Sequence, residues 1–299
     1  MKTIIIAGGS GFLGSALETH LTALGFQVNI LTRSPKRPNE IKWDGQTLGH
    51  WVQQLENAEA VINLTGKSIN SRMTEENKKL IVSSRVDSTL CLGEAINACE
   101  KPPKTWINAS GAAIYPSTLD TPMNEFSPET EQGFLEDVVR AWEKAFHTFS
   151  SPNTRKILLR INVVLGNDGG ALPTLKQLTQ YGLGGKQGSG KQLMSWIHLE
   201  DLVRIIEFLL ANESLEGVFN ICAPQPVTNK KFMATMRNML HMPFGIPQPE
   251  FLLKLGSRLA GIDADLILKS RNVVPKRLLD NGFQFKYPEI EQALKNLFN

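Results

Sequence analysis

The chain opens with a short apolar run, a glycine-rich turn and then apolar residues at helical spacing. Residues 4–7 form the run, the glycines fall within residues 8–14, and the helical spacing begins at Phe12. Because the run shows no helical period, it is typical of a strand buried on both faces of a parallel sheet. The pattern therefore predicts a strand, a tight turn and a helix, the first half of a βαβ unit.

Three glycines in this turn have the spacing G-x-x-G-x-x-G. Gly8 lets the chain turn sharply off the strand, Gly11 lets a pyrophosphate approach backbone N–H groups, and Gly14 lets the helix lie close to the sheet. The amino end of the helix attracts phosphate through its unpaired N–H groups and positive dipole. We predict dinucleotide binding; the alternative is an ordinary strand-to-helix loop. The residues assigned to the coenzyme in this turn are Gly8, Ser10, Gly11, Phe12, Leu13 and Gly14.

A basic loop follows the second strand-like run, residues 28–32. In many βαβ units an acidic residue at the end of this strand binds the ribose hydroxyls of NAD. Here Arg33 stands at that position, with Lys36 and Arg37 behind it. A guanidinium can hold a 2′-phosphate with two charge-assisted hydrogen bonds, whereas a carboxylate would repel it. We therefore predict NADP (NADPH) rather than NAD as the cofactor; the alternative is a solvated basic loop.

Further strand-like and helical segments alternate along the chain, as a doubly wound parallel sheet requires. Beyond Pro224, prolines alternate with short helical patterns, which predicts a smaller, mostly helical C-terminal lobe. We expect an α/β protein with an NADP-binding Rossmann domain (1–165 plus 196–224) and a substrate-binding lobe (166–195 plus 225–299). The other predictions are a short strand and a helix within 43–55, strands at 60–64, 106–110, 157–165 and 217–222, helices at 75–100, 134–149, 199–210, 230–240 and 251–259, and a long loop at 116–133.

Composition and charge narrow the class of protein. The chain has 299 residues, 41% of them hydrophobic, and its net charge of +3 gives no reason to expect nucleic acid as a partner. The three cysteines lack the spacing of a metal or redox site, which predicts no metal and fits a reducing compartment. The apolar stretches are too short to span a membrane, and the apolar start is too short for a signal peptide. We expect a cytoplasmic protein with no membrane partner.

Several segments spread over nearly the whole chain carry a family resemblance. They are AGGSGFLG (7–14), LTRSP (31–35), NLTG (63–66), NASGAAIY (108–115), VLGNDGGAL (164–172), MSWIHLEDLV (194–203), FNICAPQPVTN (219–229) and VVPKRLLDNGFQFKYP (273–288). On these segments, of which the last three are the most specific, the chain resembles the extended (atypical) short-chain dehydrogenase/reductase superfamily. The resemblance is to its NAD(P)-dependent epimerase/dehydratase-like branch, which has a C-terminal domain of unknown function.

The resemblance implies a fold, a cofactor and a set of site residues. It implies a parallel Rossmann sheet, a small-molecule substrate such as a nucleotide sugar bound between the sheet and the C-terminal lobe, and a homodimer. Ser110 would be the catalytic serine at the carboxyl end of a strand. The residues that would contact NADP outside the glycine turn are Arg33, Asn63, Leu64, Thr65, Gly66, Arg85, Ser110 and Lys144.

The sequence departs from that superfamily at its catalytic dyad, Tyr-x-x-x-Lys. In related enzymes the tyrosine transfers a proton while hydride moves, and the lysine lowers the pKa of that tyrosine. The three tyrosines here are each followed, four positions later, by a residue other than lysine: Tyr115 by Leu119, Tyr181 by Gly185 and Tyr287 by Glu291. On the helix after Ser110 the matching positions are Val139 and Glu143. If the match is shifted by one residue, Lys144 could reach the nicotinamide ribose of the coenzyme, which the lysine of the dyad holds in related enzymes.

Other side chains could move a proton or contact a substrate. Tyr115, in the loop leaving the Ser110 strand, is the second catalytic candidate; the alternative is a packing tyrosine. His198 and Trp196 are candidates for substrate binding, and the alternatives are a structural histidine and a core tryptophan.

Three hypotheses about function follow. The first is an NADP-dependent epimerase, dehydratase or reductase with an atypical active site. The second is a non-catalytic NADPH-binding sensor or scaffold, for which loss of the dyad is the expected signature. The third is a nucleotide-sugar binder without a redox role.

Overall fold

The computed structural model describes residues 1–128, 132–260 and 263–298. Its strands are β1 (Thr3–Ala7), β2 (Gln27–Thr32), β3 (Glu40–Lys42), β4 (Ala60–Asn63), β5 (Thr105–Gly111), β6 (Arg155–Ile161), β7 (Val163–Gly166), β8 (Gly169–Gly170), β9 (Leu193–Met194), β10 (Trp196–His198), β11 (Gly217–Ile221) and β12 (Val227–Thr228). Its α-helices are α1 (Phe12–Ala23), α2 (Glu75–Ala98), α3 (Phe134–His147), α4 (Leu172–Leu178), α5 (Leu199–Ala211), α6 (Asn229–Met239), α7 (Glu250–Ala260), α8 (Asp265–Leu268), α9 (Lys276–Asp280) and α10 (Ile290–Phe298).

Seven of these strands form a parallel sheet in the order β3-β2-β1-β4-β5-β6-β11. The chain moves outward from β1 to β3 and then crosses back to β4 on the other side of β1. At such a reversal the loops that leave the carboxyl ends of the two central strands diverge and open a crevice. The structure confirms the predicted doubly wound Rossmann sheet, and it places the crevice between the ends of β1 and β4.

The sheet is buried on both faces, and the opening strand shows how. Ile4 and Ile6 pack into one apolar cluster with α1 and α5, whereas Ile5 and Ala7 pack into a second cluster with α2 and α3. All four side chains are completely buried. Fully burying an isoleucine contributes about 1.5–3 kcal/mol, so an uninterrupted apolar run is what a central strand requires.

A third apolar cluster lies under the C-terminal region. It joins α6 to α10 and includes Trp196, Phe232 and Leu294. The predicted helical C-terminal region is therefore present, while the division into a coenzyme domain and a substrate lobe stays a prediction. Within the described ranges, no helix has the length and apolar character needed to cross a membrane.

Two predicted elements differ from the structure. The single strand predicted at 157–165 is two strands separated by Asn162, because the chain leaves the main sheet there and β7 pairs with β10. The strand predicted to begin at residue 43 is β3, which ends at Lys42, and the helix after it is the 3-10 helix His50–Leu55. Part of the predicted loop 116–133 lies outside the described residues. In the described part of this loop, Met123 forms an isolated β-bridge with Val273.

Candidate functional site

The turn between β1 and α1 contains two glycines that the packing of the protein requires. Gly8 has φ +75°, and a Cβ atom there would lie 3.0 Å from the backbone of Thr65 in the loop after β4. A Cβ at Gly14 would lie 2.4 Å from the Cα of Gly9, which is closer than real contacts allow. The turn can close against its neighbours only because these side chains are absent.

Gly11 differs from these two glycines. It precedes α1 with φ −89° and ψ 178°, an extended conformation that any residue adopts, and it gives no side-chain cap to the helix. A Cβ there would lie no closer than 3.6 Å to another atom of the protein, the carbonyl oxygen of Gly8. The packing of the described protein therefore does not demand glycine at this position. The open space lies at a helix amino end whose first turn contains no acidic residue, and that combination fits a bound pyrophosphate.

The ring of Phe12, in the first turn of α1, fits against two glycines of a distant segment. A Cβ at Gly166 or at Gly169 would lie 2.6 Å from an atom of this ring. The motif VLGNDGGAL thus holds the start of α1 in place. The sequence placed Phe12 at the start of the helix and among the coenzyme contacts, but the two glycines that its ring contacts are too far away in the chain to be predicted.

A cleft of about 1000 Å³ lies beside the end of β2, and Ser10, Arg33 and Lys36 are among its lining residues. Arg37 also lines it, but its guanidinium is held by Glu18 at 2.9 Å and by Glu40 at 2.8 Å. Arg33 makes no ion pair with any residue in the described part of the chain. The cleft therefore offers an arginine whose charge no protein carboxylate neutralises, and this fits a 2′-phosphate.

The loop after β4 closes the crevice opposite the glycine turn. Asn63 is fully buried; its side-chain amide donates to Asn108 Oδ1 at 2.8 Å and to Thr89 Oγ1 at 3.2 Å. Its Oδ1 accepts the N–H of Thr65 at 3.1 Å. These hydrogen bonds of Asn63 fix the conformation at the start of the loop, and Leu64, Thr65 and Gly66 form the loop itself.

At the end of β5, the Ser110 hydroxyl donates to Glu143 Oε1 at 2.6 Å. Arg160 of β6 binds the same carboxylate in a bidentate manner: Nε lies 2.9 Å from Oε1 and Nη2 lies 2.7 Å from Oε2. All three side chains are buried. Burial alone would lower the pKa of Arg160, but its hydrogen bonds to Glu143 outweigh burial and raise that pKa above its ordinary value. A buried ion pair therefore stands beside the serine.

Tyr115 belongs to the same network. Its side chain is fully buried; the hydroxyl donates to Asn220 Oδ1 at 3.0 Å and accepts from Arg160 Nη1 at 2.8 Å. Burial raises the pKa of Tyr115 to about 12. The structure thus brings Ser110 and Tyr115, the two catalytic candidates, into one network through Glu143 and Arg160, neither of which was a candidate in the sequence analysis.

Val139 and Glu143, which the sequence analysis matched to the superfamily dyad, both lie on α3, and that match stays a prediction. Val139 is buried, and a Cβ at Gly111 would lie 3.2 Å from its Cγ2. Lys144 is exposed on the same helix, next to the inward-facing Glu143. The one signal for the ion pair in the sequence was Arg160, a charged residue within an otherwise apolar strand segment.

The two candidates for substrate binding lie beneath the surface. Trp196 is fully buried and donates from Nε1 to the carbonyl of Gln225 at 3.2 Å. His198 caps α5, since its Nδ1 accepts the N–H of Glu200 at 3.0 Å, and its ring lies 4.0 Å from that of Tyr287. Both side chains have structural partners, and a role for them toward a substrate stays a prediction.

The sheet order, the open helix end at Gly11 and the arginine after β2 together define an NAD(P)-binding Rossmann protein. Comparison with known proteins places it more closely. The chain belongs to the NAD dependent epimerase/dehydratase family, which matches residues 4–222, and residues 248–297 match a domain of unknown function, DUF1731.

Relatives of this family match the chain over its full length. An epimerase family protein of Staphylococcus aureus is 36% identical, with 99% of each chain covered. The crystal structure of a human epimerase family protein, SDR39U1, with NADPH superimposes with a TM-score of 0.91 at 33% identity and covers 99% of each chain. A nucleoside-diphosphate sugar epimerase from Corynebacterium glutamicum gives a TM-score of 0.80 at 28% identity, covering 99% of this chain and 58% of that one.

Proposed function

We propose that this protein binds NADPH and uses it in epimerase, dehydratase or reductase chemistry on a small polar substrate such as a nucleotide sugar. The observation that supports NADPH over NADH most directly is the contrast between two arginines in the cleft beside β2. Glu18 and Glu40 neutralise Arg37, whereas Arg33 has no carboxylate partner among the described residues. A 2′-phosphate bound there would give Arg33 the counter-ion that it lacks. The human relative with NADPH supports the same choice.

The test compares binding of NADPH and NADH by calorimetry. In Arg33→Ala, NADPH should bind about 10- to 150-fold more weakly, because a hydrogen bond to a charged group contributes about 1.5–3 kcal/mol. Binding of NADH, which has no 2′-phosphate, should be unchanged. Lys42→Ala is a matched control, since it removes one exposed positive charge from the neighbouring strand outside the cleft. Equal losses for both coenzymes in Arg33→Ala would contradict the proposed preference.

For the chemistry, we propose that Ser110 contacts the substrate. Tyr115 would act on Ser110 indirectly, through the hydrogen bonds that link it to Arg160 and Arg160 to Glu143. The carboxyl end of β5 is where this fold presents groups to the crevice. The assay combines NADPH-loaded protein with a panel of sugar nucleotides and small carbonyl compounds, and it follows oxidation of NADPH and isomerisation of the sugar. Turnover that falls in Ser110→Ala, while NADPH affinity and thermal stability are kept, would support the enzyme.

One observation favours the second candidate, a non-catalytic NADPH-binding sensor or scaffold. The Glu143 carboxylate, at a position that the sequence analysis matched to the dyad together with Val139, is already engaged by Arg160 and Ser110. A protein that kept the coenzyme cleft but had lost hydride chemistry would show this arrangement. Tight NADPH binding without turnover over the whole panel would favour the sensor and contradict the enzyme.

A further inference from the structure

Residues 269–274 connect α8 to α9 and run beside the loop that leaves β5. The N–H of Met123 in that loop donates to the carbonyl of Asn272 at 2.7 Å, and the N–H of Val274 donates back to the carbonyl of Met123 at 2.8 Å. This pair of hydrogen bonds ties the loop to the C-terminal region. We refer to residues 269–274 as the strap.

Val273 of the strap completes a small apolar cluster next to the Ser110 network. The cluster also contains Tyr115, Val139 of α3 and Cys222, which directly follows β11. Val273, Tyr115 and Cys222 are completely buried, and Cys222 Sγ donates to the carbonyl of Val273 at 3.4 Å. Because Tyr115 belongs both to this cluster and to the network of Ser110, the strap supplies part of the cover that keeps water away from the network.

Ion pairs hold the strap to α3. Glu136, buried in the first turn of that helix, accepts from Lys269 Nζ and from Arg271 Nη2, each at 3.0 Å. Arg271 Nη1 also donates to the carbonyl of Tyr115 at 3.1 Å. The carboxylate of Glu136 is 3% exposed, whereas both cations are 20% exposed, so water reaches the strap side of these pairs.

The Ser110 site is closed in this structure. Ser110 is only 4% exposed, and Tyr115 is completely buried. A substrate that contacts Ser110, as proposed above, therefore needs part of the cover to move. Polar contacts hold the strap, with Val273 as its one completely buried apolar side chain, and such contacts can be exchanged for hydrogen bonds to water. A segment held in this way opens at a lower free energy than the whole fold.

We propose that the strap is a gate over the Ser110 site, which opens locally when Lys269 and Arg271 release Glu136 and so gives a ligand access to Ser110. The inference deepens the proposed function, and it rests on that function only for the contact between Ser110 and a substrate. The gate lies within residues 248–297, the part of the chain that matches a domain of unknown function, and it gives this domain a role in controlling access.

Two buried cysteines report local and global opening separately. Cys222 lies under the strap, whereas Cys91 lies in the apolar cluster between the sheet and α2. Burial raises the pKa of both thiols, and a buried thiol is inert toward alkylation. Cys222 therefore reacts when the strap opens, and Cys91 reacts only when the fold opens.

The experiment labels the folded, full-length chain with iodoacetamide and follows each cysteine by mass spectrometry of its peptide. All proteins carry Cys99→Ala, because this half-buried thiol would otherwise react first. The test variant combines Lys269→Met with Arg271→Met. The matched control combines Lys254→Met with Lys286→Met, which removes two cations and two ion pairs elsewhere in the C-terminal region.

In the parent protein, Cys222 should react at least about tenfold faster than Cys91, because local opening costs less free energy than global unfolding. The test variant should raise the rate at Cys222 by a further factor of about ten, as loss of partly buried ion pairs implies, and should leave the rate at Cys91 unchanged. The control variant should alter neither rate.

Equal rates at Cys222 and Cys91 in the parent protein would overturn the proposal. A test variant that raises both rates together, or neither of them, would overturn it as well. These outcomes do not depend on a substrate. Absence of turnover over the substrate panel would instead refute the proposed chemistry and would leave the labelling result in place.

Discussion

Substituting alanine for glycine in the opening turn separates the requirements of folding from those of the ligand. Gly11→Ala adds a methyl group in an allowed backbone conformation, and its nearest protein atom is 3.6 Å away. The folded protein should accept it, with a change in stability within about 1 kcal/mol. Any bound pyrophosphate, however, would be pushed away from the first N–H groups of α1. Losing one charge-assisted hydrogen bond costs about 1.5–3 kcal/mol, so NADPH affinity should fall about 10- to 150-fold.

Gly14→Ala should show the opposite behaviour. Its methyl group would lie 2.4 Å from the Cα of Gly9, so the turn must shift. Overpacking of this kind costs about 1–3 kcal/mol, and the melting temperature should fall by several degrees. Gly256→Ala on α7 is a control, because a Cβ there has open space around it.

The assay is calorimetric titration with NADPH, combined with thermal unfolding of each variant without ligand. The expected pattern is a stable Gly11→Ala that binds weakly and a destabilised Gly14→Ala. If Gly11→Ala is folded and binds NADPH as tightly as the wild type, the pyrophosphate does not lie at this helix end, and the reasoning is refuted. A Gly11→Ala variant that fails to fold would show that packing requires glycine there after all.

Three further predictions concern the buried polar groups. Glu143→Leu should lower the free energy of unfolding, measured by heat or urea, by about 3–5 kcal/mol, because Arg160 is left buried without a counter-ion. Adding Arg160→Met should recover most of that loss. A loss below about 1 kcal/mol in the single variant would contradict this prediction. Tyr115→Phe should cost about 1–3 kcal/mol, and it should remove the tyrosine that titrates near pH 12 from the absorbance profile at alkaline pH; an unchanged profile would show that another tyrosine is responsible. Burial lowers the pKa of His198, so its contribution to stability is complete above about pH 6.5 and is lost as the pH falls toward the lowered value. His198→Asn keeps a capping side chain for α5 and should flatten the decline in unfolding free energy between pH 7.5 and pH 5; an equally steep decline would contradict this origin.

The sequence was most informative about the fold where local chemistry decides the structure. A strand made only of apolar residues, such as residues 4–7, is stable only where both faces of the sheet are covered, and that is where it lies. The helices α2 and α3 also begin at the predicted residues. The break at Asn162 was missed because β7 pairs with β10, a strand that lies far along the chain. Pairing between distant segments leaves no periodic mark on either one.

The strand, glycine turn and helix at the start of the chain were predictable for the same reason, since they lie close together in the chain. The network at the end of β5 was not. Ser110, Glu143, Arg160 and Asn220 come from separate elements and meet only because β5, β6 and β11 are neighbours in the sheet. Taken singly, Glu143 reads as an ordinary charged residue of a helix, and its partner can be identified only from the folded structure.

The ion pair between Glu143 and Arg160 also bears on how this branch can change over evolutionary time. If Glu143 stands at the lysine position of the superfamily dyad, as the sequence analysis predicts, replacing it by lysine would bring two positive charges together in a buried site. Restoring the dyad therefore requires a third substitution at Arg160, besides those at Val139 and Glu143, and the intermediates with only one charge replaced would be poorly stable. The low stability of these intermediates disfavours substitution of either residue alone, so descendants of this chain should retain or lose both residues of the ion pair together.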